Sequence, residues 1–248
     1  MCLIVFAWRP DHATPLVVAA NRDEFYARPS LPLAQWPESP QVYAGRDLEA
    51  GGTWLGIGAD GRFAALTNIR NPHQPPARKS RGELVARFLA GEASIADYLA
   101  DVVSRSVEYA GFNLLIGNRR ELWHYNAEQS AAVELTSGIY GLSNAGLDTP
   151  WPKLLKARSA LSEVLDDPQP QALLALLCDP QTAPFADLPD TGVGLATESL
   201  LSSVFIASQS YGTRASTALI VGADGSRWMV ERSFGPYGGH LGEIEIRV

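Results

Sequence analysis

The order of apolar runs along the chain predicts an α+β domain in which two antiparallel sheets pack together with helices outside. Three observations carry this. Runs of strand length come in groups at the start, middle and end of the chain. Stretches of helical periodicity fall between those groups. The regular alternation of single strands and helices that builds a parallel sheet is absent. The chain has 248 residues, 46% of them apolar and 19% charged. That is enough for one large core and short for two, so residues 1–248 are expected to form a single domain. A disordered chain would carry more charge and less apolar surface.

Leu3–Trp8 and Leu16–Ala20 are continuous apolar runs on either side of RPDHATP, which reads as a β-hairpin with both strands buried. The second run ends in Asn21-Arg22-Asp23-Glu24. Residues 26–50 are proline-rich without periodicity and read as an irregular loop. AGGTWLGIGADGRFAALTNIRNP reads as two strands around the turn Ala59-Asp60-Gly61-Arg62, the second ending in Thr67-Asn68. Residues 81–106 have helical spacing, with Gly91 separating two helices. Residues 111–117, 121–126 and 131–143 read as strands. Trp151–Leu165 and Gln169–Cys178 read as helices, residues 179–200 as a long loop, and SVFIAS, TALIVG, RWMVERSF and EIEIRV as strands.

The net charge of −7 disfavours nucleic acid and anionic membrane surfaces as partners, since both require a basic face. No apolar run approaches the ~18–20 residues of a membrane helix, so no integral membrane association is expected. The two cysteines, Cys2 and Cys178, cannot make a disulfide framework and show no zinc spacing, which suggests a reducing, cytoplasmic compartment. MCLIVFAWRPDH lacks the basic leader of a signal peptide. Neither GxGxxG nor a phosphate loop nor CxxCH occurs, so no cofactor is expected.

Cys2 is the sharpest chemical signal. Removal of an initiator methionine before a small residue would leave an α-amine on the same residue as a thiol. An α-amine titrates near pH ~8 and can act as a general base toward the thiol. The competing reading is a small core residue opening a strand. The NRDE cluster is the second signal: its carboxylates could hold the α-ammonium and Arg22 could favour a thiolate, or it could be a solvated turn. The third is Asn68, Asn144 and Arg214, each ending or interrupting an apolar strand. Amide NH2 groups can serve as oxyanion donors, although Asn144 also suits a turn and Arg214 a structural ion pair. Ser202 and Ser203 lack a GxSxG setting, and His124 reads as a strand residue.

MCLIVFAW, AANRDEFYARP, GGTWLGI, AALTNIRNP, GFNLLIG, YGLSNAGLDTPWPK and YGTRASTALIV together resemble the NRDE family, which includes the transport-and-Golgi-organisation proteins. That family is similar to N-terminal-cysteine hydrolases of the choloylglycine and penicillin V acylase type. The resemblance implies an N-terminal nucleophile (Ntn) hydrolase-like αββα four-layer sandwich. It implies Cys2 as nucleophile, Arg22 and Asp23 as supporting charges, Asn68 and Asn144 as oxyanion donors and Arg214 as the distal arginine. Asn21 and Glu24, flanking the central pair, are expected to contact substrate. The acylases carry Arg-x-x-Asp after the second strand, whereas Arg22 and Asp23 are adjacent. The function expected is hydrolysis of a small-molecule amide through a Cys2 thioester. The alternative is a non-catalytic carrier of a hydrophobic ligand, haem or acyl-CoA, on the same scaffold.

Overall fold

The computed structural model describes residues 2–74 and 77–248. Along the chain, β1 (Cys2–Trp8) and β2 (Leu16–Phe25) are followed by β3 (Ser30–Trp36), β4 (Ser39–Asp47), β5 (Leu55–Ile57) and β6 (Phe63–Asn68). Helices α1 (Gly82–Ala90) and α2 (Ile95–Arg105) come next, then β7 (Phe112–Gly117), β8 (Leu122–Asn126), β9 (Ala131–Glu134) and β10 (Gly138–Leu142). Helices α3 (Pro152–Glu163), α4 (Pro170–Ala175) and α5 (Leu195–Leu200) precede β11 (Tyr211–Val221), β12 (Arg227–Phe234) and β13 (His240–Arg247).

The chain divides into two compact units. The first comprises the chain up to Ala27, Arg70–Pro72 and Ser137–Val248; the second comprises Arg28–Ile69 and His73–Thr136. Each holds one antiparallel sheet. In the first the strand order is β10-β1-β2-β11-β12-β13, and in the second it is β3-β4-β5-β6-β7-β8-β9. The expected α+β class with two antiparallel sheets is therefore present.

In the first unit alternate residues Leu3, Val5 and Ala7 of β1, and Val17 and Ala19 of β2, pack against Leu154, Ala157 and Leu161 of α3 and Leu173 and Leu174 of α4. Ile4, Phe6 and Trp8, on the opposite face of β1, are buried too. Burial of both faces explains why this strand is an unbroken apolar run rather than an alternating one. In the second unit Leu84, Val85, Phe88 and Leu89 of α1 and Tyr98, Leu99 and Val102 of α2 cover one face of the sheet through Val42, Ala64, Leu66, Leu114 and Ile116. Gly91 separates the two helices as expected, and Ser94 caps α2 by accepting the Asp97 N–H at 3.1 Å.

Four sequence expectations are corrected. Residues 26–50 are not an irregular loop but carry the hairpin β3–β4. The register of that hairpin shifts between Leu31 and Ala34 and again between Gln35 and Trp36. Irregularities of this kind accommodate Pro32 in an edge strand and destroy the period-two pattern that would have revealed it. Residues 131–143 are two strands, β9 at the edge of one sheet and β10 at the edge of the other. The 179–200 loop contains α5, whose Glu198 is buried. SVFIAS is buried but forms no strand; among its residues only Ala207 makes a bridge, to Gly212. Its polar backbone is satisfied differently: the Val204 carbonyl accepts the Asn21 amide at 2.8 Å, and the Ile206 N–H donates to the Thr213 hydroxyl at 3.0 Å.

Within the second unit, the Thr53 N–H donates to the Gly82 carbonyl at 3.2 Å. A Cβ on the neighbouring Gly52 would lie 2.3 Å from the Gly82 carbonyl carbon, a backbone atom that no rotamer change can move. Gly52→Ala is expected to lower the unfolding free energy by roughly 1–3 kcal/mol. An unchanged urea midpoint would show that the two segments do not approach this closely.

Candidate functional site

Cys2 begins β1, and the antiparallel register places Arg22 directly opposite it. Facing residues in such a pair share one side of the sheet, with Cβ atoms about 5 Å apart. Arg22 is therefore a cross-strand neighbour of the thiol. Both are buried. Burial pushes the Cys2 thiol above its ordinary range, and the Asp23 carboxylate pushes the same way. The Arg22 guanidinium and the backbone N–H of Asp23 work against them by favouring the thiolate. The resting group is a thiol in a site already supplied with thiolate-stabilising groups.

Asp23 lies on the other face of β2, the helix side, and is 1% exposed. Its Oδ1 accepts the Thr213 hydroxyl at 2.8 Å, and that hydroxyl accepts the Ile206 N–H at 3.0 Å. With its lone pair so engaged, the single Thr213 proton is directed at the carboxylate. Burial pushes the Asp23 carboxyl above the ordinary carboxylate range; Lys153 is the strongest side-chain influence opposing it, followed by Thr213 and Arg70.

Asn144 follows β10 and is 1% exposed. The Ser143 hydroxyl lies 3.1 Å from the Cys2 carbonyl and 3.3 Å from Asn144 Oδ1, so the two segments are joined side by side. The Arg70 N–H donates to the Asn144 carbonyl at 2.8 Å. The Arg70 side chain forms a buried ion pair with Glu198 and lies over the Trp151 ring at 4.6 Å. Asp148, at φ 55°, closes the same turn: its Oδ1 accepts the Gly141 N–H and Arg158, both at 2.8 Å.

The structure thus brings Cys2, Arg22, Asp23 and Asn144 together at one end of the first sheet. Arg214 occupies the bulge between Thr213 and Ala215. It donates to the Phe25 and Tyr26 carbonyls at 3.0 and 3.2 Å, clamping the end of β2. Asn21 has a packing role. Its amide donates to the Leu177 and Val204 carbonyls at 3.0 and 2.8 Å and accepts Ser216 at 2.5 Å, which ties β2 to the segments after α4 and α5. Glu24 accepts the N–H of Phe25 at 2.9 Å. Asn68 ends β6 in the second unit, opposite Phe112.

The profile of the family Transport and Golgi organisation 2 matches residues 1–236. The chain is 36% identical to a human Transport and Golgi organization protein 2 homolog and 34% identical to a mouse Transport and Golgi organization 2 homolog. Both alignments cover 94% of this chain and 93% of the relative. The chain belongs to the Transport and Golgi organisation 2 family. Among solved structures it is similar to a Caenorhabditis elegans N-acylethanolamine-hydrolyzing acid amidase ortholog, with a TM-score of 0.50 and 11% identity over 88% of this chain and 92% of the other. That likeness establishes the fold, the α+β fold of the Ntn hydrolases. In this family member the adjacent Arg22-Asp23 pair has a simple geometric meaning. Spacings of one and of three residues both put the two side chains on opposite faces of a strand. Adjacency moves the arginine about 7 Å along the strand relative to Arg-x-x-Asp, directly opposite Cys2.

Sequence reasoning missed Lys153. It sits in the first turn of α3 and is buried. Lys153, Ala157 and Leu161 recur at four-residue spacing on the face that packs against the sheet. A lysine in phase with an apolar stripe was the available signal. Burial lowers its amine to about 8, opposed mainly by Asp23. The unfolded chain holds that proton up to the ordinary value of 10.5, the folded chain only to about 8. Between those values the unfolded state binds more protons, so stability rises with pH; below about 8 the full cost of burying the cation is present. Lys153→Met removes that cost. Its stability relative to the parent is expected to fall by roughly 3 kcal/mol on raising the pH through this window, at about 1.4 kcal/mol per unit. Urea unfolding at several pH values measures it; a constant difference would show that Lys153 keeps an ordinary amine.

Proposed function

We propose that the protein is an N-terminal-cysteine amidohydrolase that cleaves a C–N amide bond of a small-molecule substrate through a thioester on Cys2. The observation that carries this reading is the pairing of Cys2 with Arg22 at the first step of the β1–β2 ladder, where Arg22 and the Asp23 backbone both favour the thiolate. A core cysteine does not need a buried guanidinium across the strand from it.

In this reading Met1 is removed and the freed α-amine takes the thiol proton. The Cys2 sulfur attacks the substrate carbonyl, and the oxygen becomes an oxyanion stabilised by the amide of Asn144. Collapse breaks the C–N bond, and the α-ammonium returns its proton to the departing amine. Water then attacks the thioester with the α-amine as base, releasing a carboxylic acid and restoring the thiol. Arg22 favours the thiolate, Asp23 holds the α-ammonium and Arg214 holds the strand end that carries both. Work in a reducing compartment such as the cytoplasm suits a catalytic free thiol; Cys2 and Cys178 are unlinked.

The raised Cys2 thiol supports a second reading, in which the same scaffold carries a hydrophobic ligand, haem or an acyl-CoA, without turnover. A saturable Soret shift on haem titration, or saturable fluorescence quenching by acyl-CoA, that persists in Cys2→Ala would favour it.

Two results test the hydrolase. Intact-mass measurement is expected to show loss of Met1 and, with an amide substrate, an acyl adduct on Cys2. Cys2→Ala is expected to abolish turnover; full activity in that variant would remove Cys2 as nucleophile. Asn144→Ala is expected to lower kcat by about 10²–10³ with little change in KM, the effect of losing one oxyanion donor; a change in KM alone would make Asn144 a binding residue.

A further inference from the structure

Arg70 and Glu198 form an ion pair withdrawn from water, and the steps above leave it unused. Glu198 belongs to α5, and the burial of that helix is inverted. Leu195 and Leu200 are 59% and 37% exposed, whereas Glu198, the charged residue between them, is 3% exposed. Glu198 is the one buried residue of the helix. Apolar packing would turn the leucines inward and leave the carboxylate in water. The orientation of α5 is therefore set by the carboxylate and its partners, which occupy both oxygens. Oε2 pairs with Arg70. Oε1 accepts the backbone N–H and the hydroxyl of Thr191 at 2.8 and 2.5 Å. A carboxylate bonded through both oxygens has a fixed direction.

Arg70 carries that fixed point to the Cys2 site. Its backbone N–H donates to the Asn144 carbonyl at 2.8 Å, and its guanidinium lies over the Trp151 ring at 4.6 Å. Trp151 immediately precedes α3, so one arginine holds both ends of the turn between Asn144 and that helix. Leu142 faces Ile4 in the β1–β10 ladder. Asn144 lies two residues after Leu142 and Cys2 two residues before Ile4, so both sit at the same end of that ladder. The Ser143 hydroxyl, 3.1 Å from the Cys2 carbonyl, joins them. Contacts thus run from Thr191 through Glu198 and Arg70 to Asn144 and β1, all within the first unit.

We propose that Glu198 is a positioning residue for Asn144: through Arg70 it fixes the turn that presents the Asn144 amide beside Cys2. Burying two ions costs more than packing apolar side chains of the same volume, so the pair is a poor device for stability and a good one for direction. An oxyanion donor needs direction, because its amide must point at charge that develops only in the transition state. A small displacement of the turn is enough to lose that effect. Glu198 acts through Arg70 alone, and no bond is made or broken at it. The catalytic use of the anchor rests on the amidohydrolase reading; the anchor itself is a property of the resting protein.

Hydrogen exchange of the full chain, followed by NMR, tests the anchor without a substrate. In Glu198→Gln the Arg70 backbone N–H is expected to exchange about tenfold faster or more, while the N–H groups of Val5 and Val18, buried in the β1–β2 ladder, stay within about twofold of the parent. An unchanged Arg70 N–H, or an equal change at all three positions, overturns the proposal, the latter because the pair would then support only the fold. The second arm measures hydrolysis of an N-acyl 4-nitroanilide. Arg70→Met combined with Glu198→Leu replaces the ion pair by apolar side chains, which is expected to keep the urea midpoint near that of the parent. With stability kept, kcat is expected to fall about tenfold or more with KM unchanged. Adding the same two changes to Asn144→Ala is expected to lower kcat no further, since both act through one donor. A kcat that recovers with the urea midpoint, or an equal loss with and without Asn144, would overturn the positioning role. If the combined variant does not fold, Glu198→Gln is read in the same way. Failure of the hydrolase reading shows separately, as absence of turnover in the parent with the local change in Arg70 exchange intact.

Discussion

The pairing of β1 with β2 is the constraint on which the site depends. Register is strict where both faces of a strand are buried, because a one-residue slip exchanges every side chain between faces. Here a slip would bring Cys2 opposite Asn21 or Asp23 instead of Arg22. It would also turn Leu3, Val5 and Ala7 away from α3 and α4. The apolar packing of the first unit therefore places the thiol opposite its guanidinium. β11 extends the same arrangement on the other side of β2, bringing Thr213 opposite Asp23.

Around that pairing the protein buries charge at a density that packing alone would not favour. Asp23, Arg22, Lys153 and Glu198 are all withdrawn from water within one unit. Removing ions from water is costly, and such clusters persist where their electrostatics serve a task. The surrounding backbone is held correspondingly tightly. Asp148 closes its turn at positive φ, Arg70 links the Asn144 backbone to α5, and Arg214 holds the carbonyls that end β2. A site of this kind has its dipoles oriented before a ligand arrives, the condition under which electrostatic stabilisation is most effective.

The legible parts of the chain were those whose signal is local. The buried hairpin, the helices split at Gly91 and the strands of the tail all show their period or their breakers in sequence. The β3–β4 hairpin was hidden because its bulges and prolines interrupt the alternation. The boundary between β9 and β10 was hidden because neighbouring apolar residues run into different sheets. At the site, the NRDE segment marked itself by placing charge directly after an apolar strand. The distinct roles within it were not readable: Asn21 is consumed by carbonyls more than 150 residues away along the chain, while Asp23, two positions on and on the same face, meets Thr213.

The sequence by itself determined that the chain folds into antiparallel sheets flanked by helices, that Cys2 opens a buried strand, and that charge gathers where the second strand ends. Periodicity and composition act over a few residues and need no knowledge of distant partners. Only the tertiary structure decided that Arg22 lies opposite Cys2, that Asp23 meets Thr213, and that Arg70 pairs with Glu198. Those relations join residues far apart in the chain, and each depends on strand register and helix phase, which packing alone settles.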